Sequence, residues 1–480
     1  DLDGDGRADL VLAVAAERRR FERSLRIHRA RADGSHAQRP DVEVPLPPTV
    51  SACAIGDVHP DPGTELIWFG ARGAYAWLGT RPQAQRVVKL VAAEFLFQMP
   101  LADDVVSWQD GVRDVDGDGL VDLVLPEPDG YCIALQRRPP TGGVSFSVQR
   151  LKLPERDEPL RIRSPRRGSA RRGAPVRGRR EPRGFSLSIS VSGMPRTAEP
   201  LVDVDEHVPA PQLVDWDGDR DLDIVAKSGS SVSVWLQGPA GTFSSAPNHT
   251  FAFPLTDEQT QLDPSFSSWL ADLDGDRRSD AVLLCKAQGG SEIRTQVMVF
   301  RQRPNTDRPL FDGGTPAQLL VLGGFTAAPR LSDIDGDGSP DLTVAAWRLD
   351  ALDQLRSGGT SAIDVELYVF NNRRGRFSRT PDLTYTTSVQ GEALRSGDKL
   401  FARFVGDLNG DRVRELLVRD RPERVRLMLV RRQGEALQVH GRPLYEMALD
   451  PGATLRVLED PADRPGFLVL EPTQVLLVTF

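Results

Sequence analysis

Acidic side chains recur in this 480-residue chain at one fixed spacing. The chain opens with DLDGDGRADLVL, in which positions 1, 3, 5 and 9 are Asp, position 4 is Gly, and an apolar run follows directly. Five further stretches keep Asp, Asn or Glu at these positions: DVDGDGLVDLVL from Asp114, DWDGDRDLDIVA from Asp215, DLDGDRRSDAVL from Asp272, DIDGDGSPDLTV from Asp333 and DLNGDRVRELLV from Asp407. Six copies of so specific a pattern indicate an internal repeat.

The crowding of acids indicates a bound cation. Positions 1, 3 and 5 of a tight glycine-containing loop bring carboxylates to one point, position 7 offers a backbone carbonyl, and position 9 adds a carboxylate. Without a cation these groups repel each other. A set of about six to eight oxygen donors suits Ca²⁺, whereas Mg²⁺ takes fewer protein ligands and softer metals take His or Cys. We therefore predict calcium sites.

An EF-hand is excluded by position 12, where that motif needs a bidentate Glu. The six loops have apolar residues there: Leu12, Leu125, Ala226, Leu283, Val344 and Val418. These residues belong to predicted strands rather than to helices.

The spacing of the loops predicts a β-propeller. A seventh, degenerate stretch, DVHPDPGTELIW, starts at Asp57, so the starts at 1, 57, 114, 215, 272, 333 and 407 are 56, 57, 101, 57, 61 and 74 residues apart. Each unit of about 57 residues holds four short strands separated by turns, which is typical of a propeller blade. We predict a single all-β propeller over residues 1–480, with a last repeat near 459. We count eight units, with seven as the alternative.

The loop followed by an apolar strand resembles the FG-GAP and VCBS repeats of integrin-alpha-like propellers, and the resemblance covers nearly the whole chain. It implies that each loop joins two strands of a blade and holds Ca²⁺, at about six sites. The implied ligands are Asp1, Asp3, Asp5 and Asp9; Asp114, Asp116, Asp118 and Asp122; Asp215, Asp217, Asp219 and Asp223; Asp272, Asp274, Asp276 and Asp280; Asp333, Asp335, Asp337 and Asp341; and Asp407, Asn409, Asp411 and Glu415.

Departures from the pattern predict differences between these sites. The Asp57 loop has His59 and Pro60 at positions 3 and 4, and we expect it to be empty or weak. Position 6 is Gly in three loops but Arg220, Arg277 and Arg412 in the others. If this position needs a positive φ, the arginine loops are strained by about 1 kcal/mol or more, and we expect weaker sites there. We expect the calcium to be structural, without contact to a ligand.

One insertion interrupts the repeat. Residues 155–184 are predicted to be disordered, since their core, RIRSPRRGSARRGAPVRGRREPRG at 161–184, mixes arginines with Pro, Gly and Ser. The segment could bind a polyanion, or it is a solvated insertion. It contains no aromatic residue for stacking on bases, so nucleic acid is an unfavoured partner.

No catalytic motif is found in the sequence. The six histidines are spread over five units without a metal-binding spacing, and there is no G-x-S-x-G, H-E-x-x-H or phosphate-binding loop. We therefore expect a binding, adhesion or protein-interaction module rather than an enzyme. Two alternatives stay open: a polysaccharide-active enzyme, because some polysaccharide lyases resemble calcium propellers, and the propeller part of a larger surface protein.

The metal chemistry also predicts the location. Loops of this kind bind Ca²⁺ at about 10⁻⁴ to 10⁻³ M outside cells, so we expect an extracellular, cell-surface or periplasmic protein. Any signal peptide is expected to lie outside this sequence, which has no apolar run long enough to span a membrane. The expected partner is a carbohydrate or protein that binds propeller loops. Six Ca²⁺ would change the formal net charge from −8 to −8 + 12 = +4.

Overall fold

The computed structural model of the chain is built from strands. It describes residues 1–16, 19–70, 72–81, 86–96, 105–139, 143–154, 184–188, 205–228, 231–253, 268–289, 292–302, 316–323, 325–326, 330–347, 362–390, 402–434, 436–458, 466–471 and 474–479. Within these ranges the one helical element is a 3-10 turn at Pro239–Gly241. No helix in the described part of the chain has the length and apolar character needed to cross a membrane. The predicted all-β class is confirmed.

The chain divides into two compact units, and the first comprises Asp1–Trp216 and Arg220–Phe253. It contains four blade sheets. Blade 1 has β1 (Leu10–Ala16), β2 (Arg19–His28) and β3 (Val42–Leu46); blade 2 has β4 (Val50–Gly56), β5 (Glu65–Gly70), β6 (Gly73–Trp77), β7 (Val87–Val91) and β8 (Ser107–Trp108); blade 3 has β9 (Val112–Arg113), β10 (Asp122–Glu127), β11 (Gly130–Arg137) and β12 (Ser145–Lys152); blade 4 has β15 (Gln212–Val214), β16 (Asp223–Ser228), β17 (Ser231–Trp235) and β20 (His249–Ala252).

Two short strand pairs lie beside these blade sheets. They are β13 (Gly184–Ser188) with β14 (Asp205–Pro209), and β18 (Gln237–Gly238) with β19 (Thr242–Phe243). The predicted disordered insertion, 155–184, lies outside the described residues except for Gly184, where β13 begins.

The second unit comprises Asp217–Asp219 and Pro254–Phe480 and contains four more blade sheets. Blade 5 has β21 (Ser268–Ala271), β22 (Asp280–Gly289), β23 (Glu292–Phe300) and β24 (Gln318–Gly323); blade 6 has β25 (Phe325–Thr326), β26 (Arg330–Ser332), β27 (Asp341–Trp347), β28 (Ala362–Phe370) and β29 (Leu383–Gln390); blade 7 has β30 (Ala402–Phe404), β31 (Leu416–Arg421), β32 (Arg424–Gln433) and β33 (Ala436–Ala448); blade 8 has β34 (Thr454–Leu458), β35 (Gly466–Leu470) and β36 (Val475–Thr479). Eight blades confirm the predicted eight-unit propeller. The predicted last loop start, 459, lies outside the described residues.

The alternating sequence of each strand explains how the blades pack. Apart from the parallel pair β4–β8, neighbouring strands of the blades pair antiparallel, as in Leu125 opposite Cys132, and along a regular strand every second side chain faces the same neighbouring blade. One apolar cluster joins blades 3 and 4 and includes the fully buried Tyr131 and Trp235. A second joins blades 6 and 7 and includes the buried Val418. Full burial of one large apolar side chain contributes about 1.5–3 kcal/mol, so this packing is the main stabilising term.

Glutamine side chains add a polar contact between consecutive blades. Gln149 of blade 3 donates from Nε2 to the carbonyl of Gly241 and accepts the N–H of Phe243 through Oε1, both at 2.8 Å. Gln318 of blade 5 contacts Phe377 of blade 6 in the same way, with its carbonyl at 2.6 Å and its N–H at 2.9 Å. In both cases one amide side chain donates to a carbonyl and accepts from an N–H of the next blade. We call this contact the glutamine clasp.

The substitution Gln318→Leu should weaken the contact between blades 5 and 6. It removes both hydrogen bonds of the clasp while keeping most of the side-chain volume, and the unpaired peptide groups should cost about 1–3 kcal/mol of unfolding free energy. Urea unfolding at fixed calcium and hydrogen exchange at the Phe377 amide measure the effect. The control is Leu319→Ala on the exposed face of the same strand, expected within about 0.5 kcal/mol of wild type. Unchanged protection of the Phe377 amide would contradict this role.

Candidate metal centre

The carboxylate at position 1 of each acidic loop binds the backbone of its own loop. In the loop at Asp333, Oδ1 accepts the N–H of Gly336 at 2.8 Å and Oδ2 accepts the N–H of Gly338 at 3.0 Å. Both bonds recur in the loops at Asp1, Asp272 and Asp407, and the bond to position 6 recurs at Asp114 and Asp215. Short acidic side chains favour such turns, and here they curl the loop around its own carboxylates.

Positive φ angles explain the glycines of the motif and confirm the expectation for position 6. Position 4 is Gly with positive φ in all six loops, and position 6 has positive φ whether it is Gly or Arg. The φ angles at position 6 are 82° at Gly6, 82° at Gly119, 88° at Gly338, 80° at Arg220, 72° at Arg277 and 71° at Arg412. A side chain in this conformation costs roughly 1–2 kcal/mol, so the three arginine loops are strained. Their weaker calcium binding stays a prediction.

Four loops that lie wholly within one unit bring three carboxylates together. In each, one oxygen from each of three side chains lies within 4.8 Å of the others. The groups are Asp1, Asp3 and Asp5; Asp114, Asp116 and Asp122; Asp272, Asp274 and Asp276; and Asp333, Asp335 and Asp341. All the donors are oxygens, which fits Ca²⁺.

Buried oxygen atoms support this fit. Oδ1 of Asp3, of Asp114 and of Asp116 is buried and has no hydrogen-bond partner among the described residues. A buried carboxylate oxygen without a partner is costly, because it has lost its water without gaining another donor. A cation held between these carboxylates would remove that cost.

The carboxylate at position 9 has a separate role within the blade. In blade 6, Oδ2 of Asp341 accepts the N–H of Ile334 at position 2 of the loop, at 3.0 Å, and Oδ1 accepts the N–H of Asn372 after the second strand, at 2.8 Å. The same bridge, between 2.7 and 3.2 Å, is formed by Asp9 with Leu2 and Ala30, Asp122 with Val115 and Gln136, Asp223 with Trp216 and Gln237, and Asp280 with Leu273 and Gln302. Position 9 therefore ties the loop to its own sheet whether or not it also binds a metal.

Burial raises the pKa of these position 9 acids. The pKa is raised to about 6 for Asp122 and to about 7 for Asp280, Asp341 and Glu415, with desolvation as the main cause and neighbouring loop carboxylates as a further one. At Asp122, Asp280 and Asp341, hydrogen bonds from backbone N–H groups lower the pKa and so offset part of this rise. A divalent cation in the loop would also favour the ionised form.

Two of the six loops differ from this plan. At Asp407, the amide of Asn409 donates from Nδ2 to both Asp411 and Glu415, at 3.1 Å each, so an amide dipole replaces one acid. At Asp215, residues Asp215 and Asp223 belong to the first compact unit and Asp217–Asp219 to the second.

The degenerate loop at Asp57 holds an arginine at its acids. Arg81 donates from Nε and Nη2 to both oxygens of Asp61, at 2.5 and 2.7 Å. Glu65 at position 9 keeps the structural role of that position, because its Oε2 accepts the N–H groups of Val58 and His59. A guanidinium supplies the positive charge here, which is consistent with the expectation of an empty or weak site, although that expectation stays a prediction.

Sequence reasoning missed a set of arginines beside the loops. Arg137 donates to Asp116 at 2.7 Å and to Asp118 at 3.1 Å. Arg301 lies 3.5 Å from Asp274 and donates to the carbonyls of Arg374 and Gly375 in blade 6. These guanidinium groups lower the charge repulsion in the loops, and Arg301 also joins blade 5 to blade 6.

Amide side chains next to the position 9 bridges were missed as well. Gln237 donates from Nε2 to the carbonyl of Val115 in blade 3 at 3.0 Å, and Asn372 donates from Nδ2 to the carbonyl of Leu273 in blade 5 at 2.8 Å. Each acceptor is position 2 of the preceding blade's loop. The signal for these residues is in the sequence, because Gln or Asn lies at or just after the end of the second strand in WLQG, ALQRR, FRQR and FNNRR.

Exchanging Gly and Arg at position 6 should change calcium affinity in opposite directions. Arg277→Gly should strengthen calcium-dependent stabilisation, since it relieves the strain, and Gly338→Arg should weaken its own loop by a similar amount, about 1 kcal/mol or fivefold in affinity. A Cβ at Gly338 would meet nothing within 4 Å, so the second change tests φ strain without a clash. Melting temperature against calcium concentration measures both. Equal calcium dependence in both variants would contradict the strain argument.

The comparisons with known proteins agree with the repeat. The model of the FG-GAP-like repeat family matches residues 215–283. No curated protein matches the chain.

Two solved structures are similar to this chain. One is a lectin of Agrocybe aegerita, described as recognising non-reducing terminal N-acetylglucosamine; it is 14% identical, 90% of each chain is covered, and the TM-score is 0.38. The other is the V. cholerae biofilm matrix protein Bap1, which is 11% identical, with 100% of this chain and 85% of that chain covered and a TM-score of 0.32. At such low TM-scores neither likeness bears on the function of this chain.

The family match extends over two consecutive acidic loops and the strands between them. The other loops repeat the same backbone geometry, with positive φ at positions 4 and 6 and the carboxylate bridge at position 9 in blades 1, 3, 4, 5 and 6. The chain is therefore a repeat β-propeller in which residues 215–283 match the FG-GAP-like repeat.

Proposed function

We propose that this chain is a calcium-stabilised binding module that acts outside the cytoplasm, as an adhesion or interaction protein, and holds a carbohydrate or protein ligand without chemical turnover. The observation that carries the proposal is that the acidic clusters are closed by their own backbone. In the Asp333 loop, position 1 accepts two N–H groups of the loop and position 9 accepts two further N–H groups. An ion held there would be enclosed by the loop that binds it, which favours a structural role for the ion.

The position of the loops supports a structural role for calcium. The carbonyl of position 2 accepts a hydrogen bond from the next blade in the pairs Val115 with Gln237, Leu273 with Asn372, and Ile334 with the N–H of Arg414. An ion that orders a loop therefore also orders a contact between blades. The expected ligand surface lies elsewhere, on the strands and connections between blades.

The weak affinity of such loops supports the location. Calcium modules of extracellular proteins bind at about 10⁻⁴ to 10⁻³ M, and calcium reaches these concentrations outside cells. A protein that depends on several such sites for its stability would lose them in a compartment with little calcium.

Removal of calcium should destabilise the protein. A site filled at about one hundred times its dissociation constant contributes about 2.7 kcal/mol, so several sites together should shift the melting temperature clearly. Chelation should lower the melting temperature and speed proteolysis, and Ca²⁺ should restore both better than Mg²⁺ does. Asp274→Asn should reduce the calcium-dependent part, while the exposed Asp110→Asn should not. An unchanged melting temperature after chelation would refute the calcium role.

Binding without cleavage should distinguish a binding module from an enzyme. The calcium-loaded protein is passed over immobilised neutral and acidic polysaccharides and extracellular matrix proteins, and both its retention and the release of new chain ends are measured. We expect retention with no new chain ends, and loss of retention after chelation because the fold is weakened. New chain ends would instead identify a polysaccharide-active enzyme.

A further inference from the structure

A polar groove lies between the outer strand of blade 6 and the strands of blade 7, within the second unit. Strand β29 lies against β31 and β33, and two cavities of about 420 and 450 Å³ open between them. Both are lined by Tyr385, Thr386 and Arg426, so they form one groove. We call it the blade 6–7 groove; Asp420, Gln438 and His440 also line it.

The groove begins where the apolar contact between the two blades ends. Along β32, Val430 and Met428 are buried in the apolar cluster that joins blades 6 and 7. The next two side chains on that face are Arg426 and Arg424, because alternate residues of a strand share a face. Along β31, Val418 lies in the same apolar cluster, and Asp420, two residues further on, lines the groove. Charged side chains thus replace apolar ones at the place where the blades separate.

The charged side chains of the groove form ion pairs with each other, but some of their buried polar atoms lack hydrogen bonds. Asp420 Oδ2 accepts from Arg426 Nη2 at 2.7 Å and from Arg424 Nη2 at 3.0 Å. Asp420 Oδ1, Arg424 Nε and Arg426 Nε are buried and have no hydrogen-bond partner among the described residues. One hydrogen-bond acceptor and two donors at the groove wall are therefore unsatisfied. Leaving them so costs free energy unless a polar ligand or water forms hydrogen bonds with them.

The pairing of Asp420 with Arg426 differs from the corresponding positions of the other blades with complete loops. The residue eleven after the loop start pairs across the sheet with Arg26 in blade 1, Cys132 in blade 3, Ser233 in blade 4, Met298 in blade 5, Tyr368 in blade 6 and Arg426 in blade 7. Of these blades, blades 1 and 7 have an arginine there, but thirteen residues after the loop start blade 1 has Val14 instead of an acid. Thirteen residues after the start, blade 3 has Glu127, which pairs with Arg150, but its Cys132 is fully buried. Packing alone therefore does not require the Asp420–Arg426 pair.

The chemistry of the groove fits a neutral, hydroxyl-rich ligand. Asp420 is opposed by Arg426 and Arg424, and Arg424 also lies 3.7 Å from Glu446, so the charges nearly cancel. Neighbouring hydroxyls of a sugar donate and accept at once, and a carboxylate beside a guanidinium matches such pairs. Tyr385 offers a half-buried ring and a hydroxyl whose pKa is raised by burial, so that it stays protonated and donates. Thr386 and Gln438 add further hydroxyl and amide partners.

We propose that the blade 6–7 groove binds a neutral saccharide, with Asp420 and Arg426 as its hydrogen-bonding pair and Tyr385 as its aromatic wall. This inference rests on the proposed binding function and names its site and ligand class. Two connected cavities of about 420 and 450 Å³ accommodate a short oligosaccharide rather than a single ring.

The test measures retention of the full, calcium-loaded chain on neutral oligosaccharides of glucose, mannose, galactose and N-acetylglucosamine, with polygalacturonate as the charged comparison. Asp420→Asn keeps the size of the side chain and removes its charge, and Tyr385→Phe removes only the hydroxyl. Each should weaken binding of the retained sugar about tenfold, since each loses hydrogen bonds to the ligand. The matched control is Glu127→Gln, which breaks the equivalent ion pair of blade 3 and should leave binding unchanged.

The outcomes separate this inference from the function on which it rests. Weaker binding in both groove variants, with wild-type melting temperatures in Tyr385→Phe, supports the groove. Retention that both variants leave unchanged overturns the groove and leaves the binding function in place. Retention on polygalacturonate alone overturns the neutral ligand class. Retention on no saccharide overturns the groove assignment, and the binding function then stands only if a matrix protein is retained.

Discussion

The rest of this structure depends on a carboxylate buried at the base of its blades. At position 9, Asp341 is fully buried and its two oxygens join the start of the loop to the end of the second strand. Burial of a charge is unfavourable, and the raised pKa of these acids shows it. The cost is offset by two backbone N–H groups at each carboxylate, and it would be offset further by a cation in the loop. The acid at position 9 therefore has a structural role in the blade that does not depend on a bound metal.

A calcium ion bound in the loop would be linked to blade stacking through position 2 of that loop. The residue at position 2 gives its N–H to the carboxylate of its own blade, while its carbonyl accepts from the next blade, as at Leu273 with Asp280 and Asn372. An ion that orders the loop would therefore also fix the orientation of the N–H and carbonyl groups at position 2, and with them the hydrogen bond to the next blade. Arg301 and the glutamine clasps reinforce the same contacts between blades with groups that do not depend on metal. We expect a calcium-free chain to keep its strands and to lose order first at the loops.

The repeat could be predicted from the sequence because it is a local pattern. Gly at position 4 and the strand that follows position 9 are short-range features, and even the strain at Arg277 followed from comparison of the copies. The contacts between blades could not be predicted, because they join residues far apart in sequence, such as Gln149 and Phe243, 94 positions apart. Their pairing depends on how two sheets pack. The pair of Asp420 and Arg426 was hidden for a second reason, since the register between β31 and β32 shifts between Val418 and Arg421.

The repeat itself argues that ligand recognition lies away from the acidic loops. Six of the eight blades carry loops with the same backbone geometry, so these blades share one chemistry, and the carboxylates at positions 1 and 9 already accept backbone N–H groups. A specific ligand instead needs a surface at which one blade departs from the others. Blade 7 departs in this way, because it combines Asp420 with Arg426 on two neighbouring strands, whereas the corresponding residues are Val14 and Arg26 in blade 1, Cys285 and Met298 in blade 5, and Ala346 and Tyr368 in blade 6. Three polar atoms of Asp420, Arg424 and Arg426 also lack partners among the described residues. Groups that add nothing to packing and cost free energy when unpaired are typical of binding sites. In this propeller the repeated residues build the scaffold, and the non-repeated polar residues are the candidates for function.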